Sequence, residues 1–131
     1  MDFNSKKGFI CDMDGVIYHG SIVLPGVAEF ISWLKEEKKE YLFLTNNSGY
    51  TPKELQQKLS RLGLDVPEEH FYTSALATAS FLKEQAPGCS VYAIGEAGLF
   101  NALTIATDMP LLLIRFKRVP IRFAPFSEQI F

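Results

Sequence analysis

Asp12-Met13-Asp14-Gly15 and Thr45-Asn46-Asn47-Ser48 are the two stretches whose residue types and spacing suit chemistry. Each follows an apolar run, Gly8-Phe9-Ile10-Cys11 in one case and Tyr41-Leu42-Phe43-Leu44 in the other. Two carboxylates two positions apart repel each other unless a cation or a shared proton relieves them. In a continuing strand they share one face, and Gly15 lets the backbone turn sharply towards a ligand. Magnesium fits such a pair, because it takes about six oxygens but usually only one or two protein carboxylates. In the second cluster Thr45 supplies a hydroxyl donor, and Asn46 an amide and a backbone N–H. Such donors suit a phosphate while charge moves onto its oxygens. Taken singly, each cluster also fits a plain solvated turn. Together, each following an apolar strand, they fit phosphoryl transfer, which is mostly positioning and charge stabilisation, and if the two strands are neighbours both clusters line one crevice.

The surrounding pattern supplies those strands. Uninterrupted apolar runs of four residues suit strands covered on both faces, as in a parallel sheet. Gly15 and Gly20 bracket a turn or small hairpin at Val16 to His19. Pro25-Gly26 opens a helix with Val27, Phe30, Ile31 and Leu34 on one face, and Lys35 to Glu40 reads as its solvated end. Thr51-Pro52-Lys53-Glu54 is a capping box with proline at the first helical position. Leu55, Leu59 and Leu62 form that helix's stripe, and Gly63 sits where a C-terminal cap belongs. A short strand at Phe71-Tyr72-Thr73, a helix capped by Ser74 and running to about Gln85, a strand over Ser90 to Ile94 and a helix over Glu96 to Leu103 follow. The order β-α-β-α-β-α-β-α predicts an α/β chain with a parallel sheet and flanking helices. Ligands then collect at the carboxyl ends of the strands.

Composition narrows the alternatives. The chain has 131 residues, 47% hydrophobic, 21% charged, with a formal net charge of −2. That excludes a disordered segment and gives no reason to expect nucleic acid as a partner. The longest apolar run, Leu111 to Ile114, is too short to span a membrane, and Asp12 and Asp14 interrupt the only early run that would resemble a signal peptide. Cys11 and Cys89, without CxxC spacing, suggest two reduced thiols in a cytoplasmic protein rather than a disulfide or zinc framework. His19 and His70 read as loop and element-flanking residues, and Trp33 as packing.

Phe9-Ile10-Cys11-Asp12-Met13-Asp14-Gly15-Val16 and Leu44-Thr45-Asn46-Asn47-Ser48 together resemble the first two motifs of the haloacid dehalogenase-like (HAD) phosphatases. The type IIA, NagD-like branch is the nearest in pattern. Leu24-Pro25-Gly26, Thr51-Pro52-Lys53-Glu54-Leu55, Phe71 to Ala79 and Tyr92 to Leu99 extend the similarity from about Lys7 to Leu103. The resemblance implies a partial Rossmann-like core over residues 1–74 and the entry into a C2-type cap over residues 75–103. Only 33 positions separate Asp12 from Thr45, which leaves no room for a cap between them. It further implies that Asp12 attacks phosphorus to give an aspartyl-phosphate and that Asp14 is the general acid and base. Mg2+ would be held by the Asp12 carboxylate and the Asp14 main-chain carbonyl, while Thr45 and Asn46 hold the phosphoryl oxygens. The implied substrate is a small phosphorylated metabolite.

Two motifs of the resemblance are missing: a lysine that offsets the charge of nucleophile and phosphate, and a late acidic loop for the metal. Beyond Leu103 the only lysine is Lys117 and the only acids are Asp108 and Glu128. All nine glycines lie at or before Gly98, and residues 104–131 carry four Lys/Arg against two Asp/Glu. This segment is expected to be foreign to the fold, from a frameshift or a truncated reading frame. A genuine divergent strand and loop is the plain alternative, and a basic patch of Arg115, Lys117, Arg118 and Arg122 a third. The isolated chain is accordingly expected to be a weak or inactive phosphatase. A non-catalytic phosphate-binding or partner-dependent half-domain is the competing reading, and a phosphotransferase or mutase a weaker one.

Overall fold

The computed structural model describes residues 2–107 and 111–113. Strand β1 (Gly8–Asp12) leads through a tight loop to a hairpin of β2 (Tyr18–His19) and β3 (Ile22–Val23), then helix α1 (Val27–Glu36). Strand β4 (Glu40–Thr45), helix α2 (Pro52–Arg61), a 3-10 turn (Glu68–His70), strand β5 (Phe71–Thr73) and helix α3 (Ser74–Gln85) follow. Strand β6 (Val91–Ala93), helix α4 (Ala97–Thr107) and strand β7 (Leu111–Leu113) complete the described chain.

The central sheet is three-stranded and parallel, in the order β1-β4-β5. Each strand lies to the same side of the one before it, so two right-handed crossovers must place α1 and α2 on one face. The core records this. Phe9, Cys11, Tyr41, Phe43 and Phe71 from the sheet pack with Val27, Ile31 and Leu34 of α1 and Leu55 and Leu59 of α2. The opposite face departs from the expected double covering: Ile10 is 72% exposed and Leu42 and Leu44 are only half-buried. Covering that face requires crossovers running the other way from β1, and the described residues contain none.

Other expectations shift in detail. The hairpin forms at Tyr18–Val23, later than the turn read from the glycines. Helix α1 ends at Glu36, and Glu40 already pairs with Gly8 in the sheet. Thr51 makes the full capping box with Glu54, and Gly63 takes φ +83, the left-handed geometry of a helix stop. The cap of α3 is Thr73, whose hydroxyl accepts from the Leu76 N–H at 3.2 Å. Ser74, expected to cap, is the first helical residue and donates instead to the Asn46 carbonyl at 2.8 Å.

The fourth expected strand does not join the central sheet. β6 pairs in parallel with β7, and a second cluster of Ala75, Ala79, Ala93, Ala102 and Leu103 packs around α3 and α4. Alanines let the α3 and α4 backbones come close, so the contact is made by many small side chains. Residues 104–107 continue α4. Asp108, Arg115, Lys117, Arg118, Arg122 and Glu128 lie outside the described residues.

Candidate active site

Parallel pairing of β1 with β4 brings the two polar clusters to the same end of adjacent strands. Asp12 is in register with Leu44, so Thr45 stands one residue beyond it. Both acids are exposed, while Thr45 is 4% exposed. β1 stops at Asp12, and Met13 plunges into the core with no exposed surface. The two acids therefore do not continue one strand, contrary to the simple alternation; the loop itself places them.

That loop is tied tightly. The Met13 carbonyl receives the N–H groups of Val16, Ile17 and Tyr18, at 3.2, 2.9 and 3.4 Å, and Gly15 N–H donates to the Tyr18 carbonyl at 2.8 Å. Gly15 takes φ +79, which a residue with a Cβ adopts only under strain. These bonds end on the Met13 and Tyr18 carbonyls, and the Asp14 carbonyl takes none of them. One Asp12 carboxylate oxygen accepts the Met13 N–H at 2.9 Å.

The Asp14 carboxylate meets the second cluster. Thr45 Oγ1 lies 3.5 Å from Asp14 Oδ2, at the long limit of a hydrogen bond, and accepts the Asn47 N–H at 3.1 Å. The Thr45 hydroxyl proton is thus turned towards Asp14. The Asn46 side chain is exposed, with its backbone carbonyl anchored by Ser74. Asn47 Oδ1 accepts the Gly49 N–H at 2.8 Å, and the Gly49 carbonyl accepts from Gly98 N–H at 3.0 Å. The start of α4 therefore rests on this loop. A Cβ at Gly98 would stand 2.5 Å from the Ser48 carbonyl oxygen and 2.6 Å from that of Tyr50, a contact backbone cannot relieve cheaply.

Two further side chains were not legible as functional in the sequence. Tyr18 is 2% exposed, and its phenol feels the charge of the Asp14 carboxylate. Its phenol is pushed up from 10.0 to about 12, first by burial, then by the Asp14 charge, with Tyr50 and Asp12 adding to it. Lys58 of α2 sets its ammonium 3.8 Å from the centre of the Tyr18 ring and 5.6 Å from that of Tyr50. Cys11, beside Asp12, has its thiol pushed up by burial, which suits packing rather than reactivity. His70 hydrogen-bonds through Nδ1 with the Tyr41 carbonyl at 2.9 Å and stacks on the Tyr41 ring at 3.8 Å, a packing role away from Asp12. Trp33 packs edge-on to Phe9 at 5.4 Å.

Among the described residues no three His, Cys, Asp or Glu side chains gather as a metal cluster. The exposed Asp12 carboxylate and the Asp14 carbonyl that the loop bonds leave aside still suit magnesium, which keeps much of its coordination for water and phosphate. The donor set is all oxygen, as a hard cation requires.

Comparison with known proteins agrees with this geometry. Residues 9–106 match the haloacid dehalogenase-like hydrolase family. The acid sugar phosphatase of Staphylococcus saprophyticus is 43% identical over 98 residues, covering 75% of this chain and 38% of that protein. NagD from E. coli K-12 superposes with a TM-score of 0.75 at 36% identity, over 81% of this chain and 42% of its own. A glycerol phosphate phosphatase from Mycobacterium tuberculosis, solved in complex with magnesium, gives a TM-score of 0.72 at 27% identity, over 82% of this chain and 32% of its own. The chain thus spans about two fifths of the length of the curated relatives it matches. With Asp12 and Thr45 ending adjacent parallel strands and the family match over residues 9–106 spanning both clusters, the chain belongs to the haloacid dehalogenase-like hydrolases, in their NagD-like, type IIA branch.

Proposed function

We propose that this chain carries the nucleophile half of a magnesium-dependent phosphomonoesterase site acting on a small phosphorylated metabolite in the cytoplasm. The observation that carries the reading is the convergence of Asp12, Asp14 and Thr45 at one end of β1 and β4. An Asp12 carboxylate oxygen attacks phosphorus, the bond to the leaving oxygen breaks, and Asp14 gives that oxygen its proton. Water then attacks the aspartyl-phosphate, Asp14 takes the water's proton, and the Asp12–phosphorus bond breaks to free phosphate. Asn46 offers its exposed amide to the phosphoryl oxygens. Thr45 serves the same oxygens by turning its hydroxyl away from Asp14, a contact long enough to give up at little cost. The Asp12 carboxylate and the Asp14 carbonyl would hold magnesium, which when bound would supply neutralisation of the charge on the phosphoryl group.

Residues 1–74 are the first part of the core in this reading, and α3, β6 and α4 lead into a cap that selects the substrate. The names of the relatives point to phosphorylated sugars and polyols as its class. No described lysine stands beside Asp12 as an ion-pair partner, so turnover by these 131 residues is expected to be slight. Calorimetric titration with phosphate and Mg2+ tests the site: phosphate binding that needs Mg2+ and is lost in Asp12→Asn is expected. Absence of binding by the unaltered chain would overturn the site. A Mg2+-dependent rate with p-nitrophenyl phosphate, abolished by Asp12→Asn, would overturn the expectation of slight turnover.

A further inference from the structure

We propose that the ammonium of Lys58 is a positioning group that fastens both site loops to α2 by sitting against Tyr18 of the first and Tyr50 of the second. The inference builds on the phosphatase reading for the role of Asp14, but the clamp itself stands on geometry. The first loop leaves β1 at Asp12 and ends at Tyr18; the second leaves β4 at Thr45 and runs through Tyr50 into the Thr51 cap of α2. Lys58 stands on the second turn of that helix, between the buried Leu55 and Leu59. Lys58 as a whole is half-buried, and its ammonium meets the Tyr18 ring at 3.8 Å and the Tyr50 ring at 5.6 Å. Both distances lie within reach of a cation held by the negative face of an aromatic ring.

What the clamp must resist is visible in the same loop. Asp12 and Asp14 repel each other, and Gly15 gives the backbone freedom to let them part. The hydrogen bonds from Val16, Ile17 and Tyr18 N–H to Met13, and from Gly15 to Tyr18, oppose that movement, with the buried Met13 and Ile17 side chains anchoring the loop beneath them. Fixing the Tyr18 ring fixes the carbonyl to which Gly15, the residue after Asp14, donates. Tyr18 is thus the link through which Lys58 acts on Asp14. An arginine preserves the contact, since guanidinium stacks on aromatic faces; methionine keeps the length and loses the charge.

Amide hydrogen exchange on the full chain tests the clamp without requiring turnover. In Lys58→Met, protection of Gly15 and Tyr18 N–H is expected to fall roughly 3- to 30-fold, the span of a single cation–π contact. Protection of Leu59 N–H, inside α2, should stay unchanged, and Lys58→Arg should restore the loop. Tyr18→Leu should give a similar loss, with the double variant no worse than either single one. Mg2+-dependent phosphate affinity should fall in parallel. Unchanged loop protection in Lys58→Met, or strictly additive losses in the double variant, would overturn the clamp. If the unaltered chain binds no phosphate, the phosphatase reading fails and the exchange result alone decides the clamp.

Discussion

Asp12 and Asp14 share a motif but stand in different surroundings, and the difference gives each a separate test. Asp12 ends a strand and has one oxygen occupied by its neighbour's N–H; Asp14 faces the Thr45 hydroxyl, and its charge acts on the Tyr18 phenol. Asp14→Asn is expected to spare Mg2+-dependent phosphate binding, because its carbonyl rather than its carboxylate is the proposed ligand. Calorimetry in which this variant loses binding as fully as Asp12→Asn would contradict the assignment. Tyr18 adds a pH signature. Unfolded, its phenol ionises near 10; folded, it keeps its proton to about 12. Between these values the folded state binds more protons, so stability falls with rising pH. The contribution is whole below pH 10 and gone above 12. Urea midpoints for Tyr18→Phe should therefore drop less between pH 9 and pH 11 than those of the unaltered chain.

At the scale of the elements, local sequence signals and their outcomes agree where the interaction is local. The Thr51 box closes because Glu54 lies three residues on, a spacing any helix enforces. Thr51→Ala should cost about 1 kcal/mol by denaturant unfolding. Thr73 and Ser74 show the opposite. Either could cap α3, and the choice of Thr73 follows from the Ser74 hydroxyl being drawn to the Asn46 carbonyl on a neighbouring strand end. The seating of α4 on the loop after β4 was likewise invisible in sequence, since Gly98 and Gly49 are far apart in the chain. Gly98→Ala should shift the amide resonances of Ser48, Gly49 and Tyr50 and weaken phosphate binding, because its Cβ meets two backbone oxygens. Unperturbed loop resonances would show that α4 can simply slide away.

For the whole molecule, the strand order β1-β4-β5 decides which apolar residues are core. Phe43 and Ile10 come from equally apolar runs, yet Phe43 is fully buried and Ile10 is 72% exposed. Phe43→Ala should cost about 3–5 kcal/mol, whereas Ile10→Lys should change stability by only about 0.5 kcal/mol or less. An Ile10→Lys variant that unfolds the chain would mean that the face is covered in solution. Sequence alone was sufficient for the strand and helix succession, the capping box, the glycine stop and the two clusters that end β1 and β4, because periodicity, capping and turn chemistry act over a few residues. It also carried the family, through motifs in a fixed order. The tertiary structure alone decided that β6 leaves the central sheet, that α1 and α2 share one face, and that Lys58 meets Tyr18 and Tyr50. Those outcomes depend on crossover direction and on which loops a helix passes, and residues 40 positions apart reveal neither until the chain is folded.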